Sequence, residues 1–306
     1  MKKLAKTALI TAGIFFLIGA IILIICSFFA WNRRHILADA VSQEIHGIFN
    51  HNIYSFFEED WESNLDYRFP IQSGQYTDNH AAKATDITQL CINLNYTNFK
   101  LVSSQDDVFH ISYEGKGKCQ YYTEDSVFYV TGSLDRRTVN TNLLTLSVPN
   151  TAFSDVSIDF GAGTANLSSL KCDTLNINVG AGELTLDGTD CNDISADCGA
   201  GAILIKDGKT QNADFEVGMG ELVYEGFIND ALCAEVGMGN ITLQIRDTQE
   251  DHNYDLECGM GNITLGEKTY RGFAVEKEIN NNANSDYTLQ CSMGNIDVSF
   301  EDTDKN

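Results

Sequence analysis

One five-residue phrase recurs along the second half of the chain, and it limits the folds open to everything around it. The phrase is an acidic or amide residue, an apolar residue, Gly, then Ala or Met, then Gly. It ends at Gly163, Gly182, Gly201, Gly220, Gly239 and Gly261, and once more at Gly294, where Ser292 replaces the first Gly. The first four intervals are 19 residues each, the fifth is 22 and the last is 33. A unit this short cannot bury an apolar face alone, so a chain that repeats it must stack the copies.

The flanking residues say what is stacked. Three residues before the first Gly of each phrase stand Ile158, Ile177, Ala196, Phe215, Ala234, Leu256 and Leu289. One residue before it stand Phe160, Val179, Cys198, Val217, Val236, Cys258 and Cys291. Between them lies a polar residue every time: Asp159, Asn178, Asp197, Glu216, Glu235, Glu257 and Gln290. This is the two-residue period of a strand with one buried face. The pattern resumes after the phrase, as in Leu184 and Leu186 or Ile241 and Leu243, but with its parity shifted by one. A bend at the second Gly accounts for the shift, with glycine supplying dihedrals closed to other residues. Asp187-Gly188, Asp207-Gly208 and Glu225-Gly226 mark a second corner. The fold expected is all-β: a single-stranded parallel β-solenoid of about seven coils with a 19-residue period, right-handed by precedent of the fold.

Ahead of the repeats, Lys2, Lys3 and Lys6 precede an uncharged run from Thr7 to Asn32. Leu9 to Ala30 is 22 residues, about 33 Å as a helix against a hydrocarbon core of about 30 Å. That is too long for the apolar core of a cleaved signal peptide, and no Ala-x-Ala site follows. Ile25 is too large for lipid attachment at Cys26. Residues 1–34 are therefore expected to be one transmembrane helix, an N-terminal anchor that leaves the acidic remainder extracytoplasmic. Residues 35–84 are expected to be a juxtamembrane stalk, with Gly74 to Ala82 as a polar linker. Short alternating runs such as Val108–Tyr113 and Ser126–Val130 make residues 85–150 a β-rich N-terminal cap. The solenoid then covers 151–300 and a charged tail 301–306. The two longer intervals are expected to be loops between Arg246 and Tyr254 and between Lys268 and Asp286, on one edge.

A membrane-proximal segment, a strand-rich lead ending in Val148-Pro149, and stacked rungs carrying Gly-x-Gly together resemble the bacterial putative-adhesin β-solenoid domains, a cell-envelope group of unknown function. The resemblance spans roughly residues 85 to 300. Its motifs are structural, so it implies a fold and a cell-membrane location rather than a reaction, and it carries over no active-site residue.

The formal net charge is −23, and from Asp155 to Asp297 there are 25 acids against 7 Lys or Arg. Such a surface repels nucleic acid and attracts cations. Asp159, Asp197, Glu216, Glu235 and Glu257 would stack as an outward ladder. Rungs about 4.8 Å apart place like charges where each pair costs on the order of 1 kcal/mol in water. Relief by Ca²⁺ or a cationic peptide is the functional expectation; a solvated face that keeps the protein soluble is the plainer one. The spacing lacks the Gly-Gly-x-Gly-x-Asp nonapeptide of calcium β-rolls. Of nine cysteines, Cys198, Cys258 and Cys291 fall at inward positions, and Cys172 and Cys191 lie one coil apart. There is no Cys-x-x-Cys, and of the histidines only His252 lies in the repeats, so neither zinc nor another cofactor is expected. No nucleophile motif or phosphate loop is present. The chain reads as a non-enzymatic binding, adhesin-like or stress-sensing module that meets the membrane through its N-terminal helix and binds cationic peptides or envelope proteins. Its rivals are a polymerising, bactofilin-like scaffold and a glycan-active β-helix enzyme.

Overall fold

A computed structural model of the chain describes residues 70–71, 74–134 and 142–301. Their regular structure is β apart from two single 3-10 turns, Ala84–Asp86 and Gln249–Asp251. Among the described residues no helix is long and apolar enough to cross a membrane; the anchor expected over 1–34 lies outside them.

The N-terminal strands are β1 (Pro70–Ile71), β2 (Gly74–Lys83), β3 (Gln89–Asn95), β4 (Thr97–Ser103), β5 (Val108–Gly115), β6 (Gly117–Glu124), β7 (Val127–Leu134), β8 (Leu143–Val148) and β9 (Phe153–Phe160). Four long strands follow: β10 (Gly163–Val179), β11 (Glu183–Cys198), β12 (Ala202–Val217) and β13 (Glu221–Val236). The last group is β14 (Asn240–Ile245), β15 (His252–Cys258), β16 (Asn262–Leu265), β17 (Lys268–Arg271), β18 (Val275–Ile279), β19 (Ser285–Cys291) and β20 (Asn295–Phe300).

The long strands pair in parallel one repeat apart. Thr164 lies beside Glu183, Glu183 beside Ala202, Ala202 beside Glu221 and Glu221 beside Asn240. Each long strand bends, and its pairing falls into separate stretches; between β10 and β11 these are 164–168, 170–172 and 174–179. The result is an open all-β sheet of many parallel strands, consistent with a β-solenoid. The apolar columns read from the sequence are all buried, from Ile158 and Phe160 through Phe215 and Val217 to Leu256 and Cys258. Each fully buried Leu, Ile or Phe stabilises the fold by about 1.5–3 kcal/mol.

The glycines of the repeated phrase serve another purpose than the one expected. Among them only Gly163 has a left-handed φ, 118°. The demand is for space. A Cβ at Gly220, Gly239, Gly261 or Gly294 would lie against the carbonyl oxygen of the equivalent Gly in the next turn. At the first Gly the crowding is milder, 3.0 Å at both Gly218 and Gly237. That difference explains why Ser292 is accepted at the first position while every copy keeps the second. At the other corner Gly188 has φ 82°, but in the next turn Asp207 (φ 48°), not Gly208, takes the left-handed conformation.

The ends depart from a simple ladder. β19 lies between β13 and β15, and β20 between β14 and β16, so the last turn in sequence is not the last in space. The segment between Lys268 and Asp286, expected to be a loop, instead forms β17 and β18, which run back antiparallel on β16 and β15. The N-terminal end repeats this in reverse chain order. β3 lies between β7 and β9, β4 between β8 and β10, and β5 and β6 pair antiparallel with β8 and β7. Gly74 to Ala82, expected to be linker, falls within β2, which pairs antiparallel with β5. Its polar composition suits an outer strand, and Tyr76 and Ala82 still pack on the core. Unpaired edges template association with other chains, and charged, short, antiparallel edge strands blunt that tendency. β17 and β18 fit this, with Lys268, Arg271, Glu276, Lys277 and Glu278 along them.

Side chains pin the interleaved end. His252 and Ser285 are register partners, both buried, with His252 Nδ1 2.8 Å from Ser285 Oγ. The imidazole stacks on Tyr287 at 4.2 Å between centroids, and the Tyr287 hydroxyl donates to the Ile228 carbonyl at 2.8 Å.

The two glycine positions of the phrase should therefore differ in denaturant titrations of the full chain. Gly239→Ala should cost at least ~3 kcal/mol, because backbone must move, whereas Gly218→Ser should cost no more than ~1 kcal/mol. Equal losses at the two sites would refute the steric account.

Candidate functional site

The strand that enters each Gly-x-Gly corner carries its polar residue on the outer face, and register fixes the order of those residues in space. Asp159 lies beside Asn178, Asn178 beside Asp197, Asp197 beside Glu216 and Glu216 beside Glu235. Glu235 then meets Gln290, and Gln290 meets Glu257, because β19 is inserted there. All five acids expected in the ladder stand in one row. They are not evenly continuous, however: Asn178 stands between Asp159 and Asp197, and Gln290 stands between Glu235 and Glu257. The unbroken run is Asp197, Glu216 and Glu235.

A fourth acid joins that run from the neighbouring column. Asp214 is two residues from Glu216 on β12 and is the register partner of Ser195 and Cys233. It escapes a reading of the repeated phrase because its column is mixed, running Ser157, Asn176, Ser195, Asp214, Cys233, Thr288 and Asp255. Among the described residues no Lys, Arg or His forms an ion pair with Asp197, Asp214, Glu216 or Glu235.

The electrostatics follow from partial burial and like charge. Burial, reinforced by Glu216 and Asp214, pushes the Asp197 carboxyl up to about 6. Burial raises Asp214 as well. Glu235 is raised by burial first and then by Glu216, Asp214 and Glu257. The Cys233 thiol, 4.0 Å from Glu235 Oε1, is pushed up to about 12 by burial and by the surrounding carboxylates. It is an inert thiol rather than a nucleophile. This patch stores repulsion that a bound cation would relieve.

Among the described residues no three of His, Cys, Asp and Glu are grouped so as to hold a metal ion. The row therefore offers Ca²⁺ single carboxylates on one face, not a cage of six to eight oxygens. Cys198, Cys258 and Cys291 are buried as expected. Cys172 and Cys191 are register partners, as are Cys258 and Cys291, and all four are thiols.

Asp197 gives the fold a pH dependence. A carboxyl whose folded pKa is raised is better tolerated protonated, so its share of stability is full below 3.8 and lost as pH rises through about 6. Asp197→Asn should thus stabilise the protein at pH 7 by about 1 kcal/mol after allowance for solvent screening, and by nothing near pH 4. Melting curves of the two proteins at both pH values test this; a constant gap across the range would count against it.

A putative adhesin from Bacteroides fragilis NCTC 9343 aligns over 74% of this chain and 99% of its own at 13% identity, with a TM-score of 0.39. A putative adhesin from Parabacteroides distasonis ATCC 8503 aligns over 74% and 97% at 13% identity, TM-score 0.42. A putative lipid binding protein from the same strain aligns over 74% and 96% at 11% identity, TM-score 0.34. No curated protein matches. The family model described as Toastrack DUF4097 matches residues 87–299, the greater part of the chain, and the chain belongs to that family.

Proposed function

We propose that the protein is a non-enzymatic binding module, a right-handed β-solenoid held at the outer face of a cell membrane by its N-terminal segment. It takes cationic groups on the row Asp197, Glu216 and Glu235, with Asp214 beside it. The observation that carries this reading is that four carboxylates, with no basic partner among the described residues, share one rigid face. Ammonium and guanidinium groups suit it better than Ca²⁺, because a row of single carboxylates pairs with a row of point charges.

Two other readings fare less well. Glycan cleavage needs two carboxyl groups flanking one bond from different sides, and these acids all project from one ladder. End-to-end polymerisation needs open parallel ends, and β17 with β18 lie antiparallel against β16 and β15, the outermost turn at that end.

Pentalysine is the direct probe. Fluorescent pentalysine should bind the full chain saturably at low salt and weaken steeply as salt is raised. Glu216→Lys with Glu235→Lys should weaken binding at least tenfold. At 100 times the dissociation constant the ligand should add about 2.7 kcal/mol of stability. Binding unchanged by the double reversal would remove the row as the site.

A further inference from the structure

Six large hydrophobic residues are exposed among the described residues, and five share one line. Met219 (62% exposed), Met238 (57%), Met293 (52%) and Met260 (63%) are the middle residues of the Gly-Met-Gly and Ser-Met-Gly corners. Backbone bonds fix their order, from Met238 N to Gly218 O, Met293 N to Gly237 O and Met260 N to Ser292 O, at 2.7–2.8 Å. Phe273 (84%) ends the line. It sits at the turn between β17 and β18, opposite Met260, since Asn262 pairs with Arg271 and Cys258 with Val275. The equivalent corner residues at the other end are Ala162, Ala181 and Ala200, so the apolar ridge belongs to the C-terminal part of the sheet.

The two flanks of the ridge differ. On the entering strands stand Glu216, Glu235, Gln290, Glu257 and then Glu276. On the leaving strands Asn262 Nδ2 donates to Asn295 Oδ1 at 2.8 Å, and Asn295 Nδ2 to Asn240 Oδ1 at 2.9 Å. The three amides satisfy one another, with Glu221 preceding them beside Met219 and Arg271 following them beside Asn262; the acidic flank has no basic partner among the described residues. A second copy laid ridge to ridge in the antiparallel sense would bring acidic flanks together, and an anionic lipid surface would meet the same repulsion. The corner amides are used within the ladder, so an extended peptide gains no backbone bonds there.

We propose that this methionine ridge docks an amphipathic α-helix of a partner polypeptide, with an apolar stripe on Met219, Met238, Met293, Met260 and Phe273 and Lys or Arg along the side facing Glu216 and Glu235. The proposal deepens the cation-binding reading and rests on it for the acidic flank. Rungs repeat about every 4.8 Å and helix turns about every 5.4 Å. Over the ridge the two drift apart by only about 2–3 Å, within the reach of flexible Met side chains. Recognition by an apolar face laid along Met side chains, with residues at i, i+3, i+4 and i+7, is an established mode.

The test uses the full chain and three probes: an 18-residue Leu/Lys helix with its leucines on one stripe, a scrambled isomer of equal charge, and pentalysine. The Leu/Lys helix should bind at least tenfold more tightly than the scrambled isomer. Met219→Gln, Met238→Gln, Met293→Gln and Met260→Gln together should erase that advantage while pentalysine binding stays unchanged; these exposed sites leave the melting temperature unaltered. Equal binding of helix and scrambled isomer, or a quadruple variant that still prefers the helix, overturns the proposal. So does Met-dependent binding to phosphatidylcholine vesicles in place of the helix, or Met-dependent self-association in sedimentation. Loss of pentalysine binding on Glu216→Lys with Glu235→Lys, while the helix preference is absent, keeps the acidic row and removes only the ridge.

Discussion

Each turn that carries the repeated phrase must bring two backbone segments close enough at the Gly-x-Gly corner that one position has no room for a Cβ. Gly220, Gly239, Gly261 and Gly294 each sit against a carbonyl of the neighbouring turn. That closeness lets the corner amides keep bonding from turn to turn, so the parallel ladder does not break where the strand bends. With the ladder unbroken, residues one repeat apart fall into columns. Inward columns become the core, outward columns become rows of like chemistry, and the middle residue of each corner has nowhere to go but solvent.

Columns of identical residues have opposite consequences according to their chemistry. Amides can donate and accept, so Asn262, Asn295 and Asn240 join into a chain of side-chain bonds along one side of the corner. Carboxylates only accept, so Asp197, Glu216 and Glu235 accumulate repulsion on the other side. Two faces built by one rule therefore differ in whether they need anything from outside.

Much of this was legible in the sequence, because a 19-residue period combined with two-residue alternation determines which residues share a column. The buried columns at Ile158 and Phe160, the outward acids and the inward cysteines all follow from that arithmetic. What was not legible is pairing between segments that lack the phrase. Nothing local in Lys268–Arg271 or Val275–Ile279 says that they return antiparallel on β16 and β15, and a polar run such as Gly74–Lys83 looks alike as linker or as outer strand. The spatial neighbour of Glu235 is likewise Gln290 rather than Glu257, a fact that depends on the insertion of β19. Asp214 escaped for the complementary reason: it stands in a column without a consistent residue type.

The interleaved ends also bear on when this fold can be completed. In a simple solenoid each turn contacts only its neighbours in the chain, so a new turn can settle on the one before as soon as it is made. Here the strands Ser285–Cys291 and Asn295–Phe300 are the inner neighbours of turns that precede them in the chain. Until they emerge, the edges of β13 and β14 on one side and of β15 and β16 on the other lack their final partners. The structure closes from within, by its last residues, and a chain cut short before Ser285 would be missing an interior rung rather than a tip.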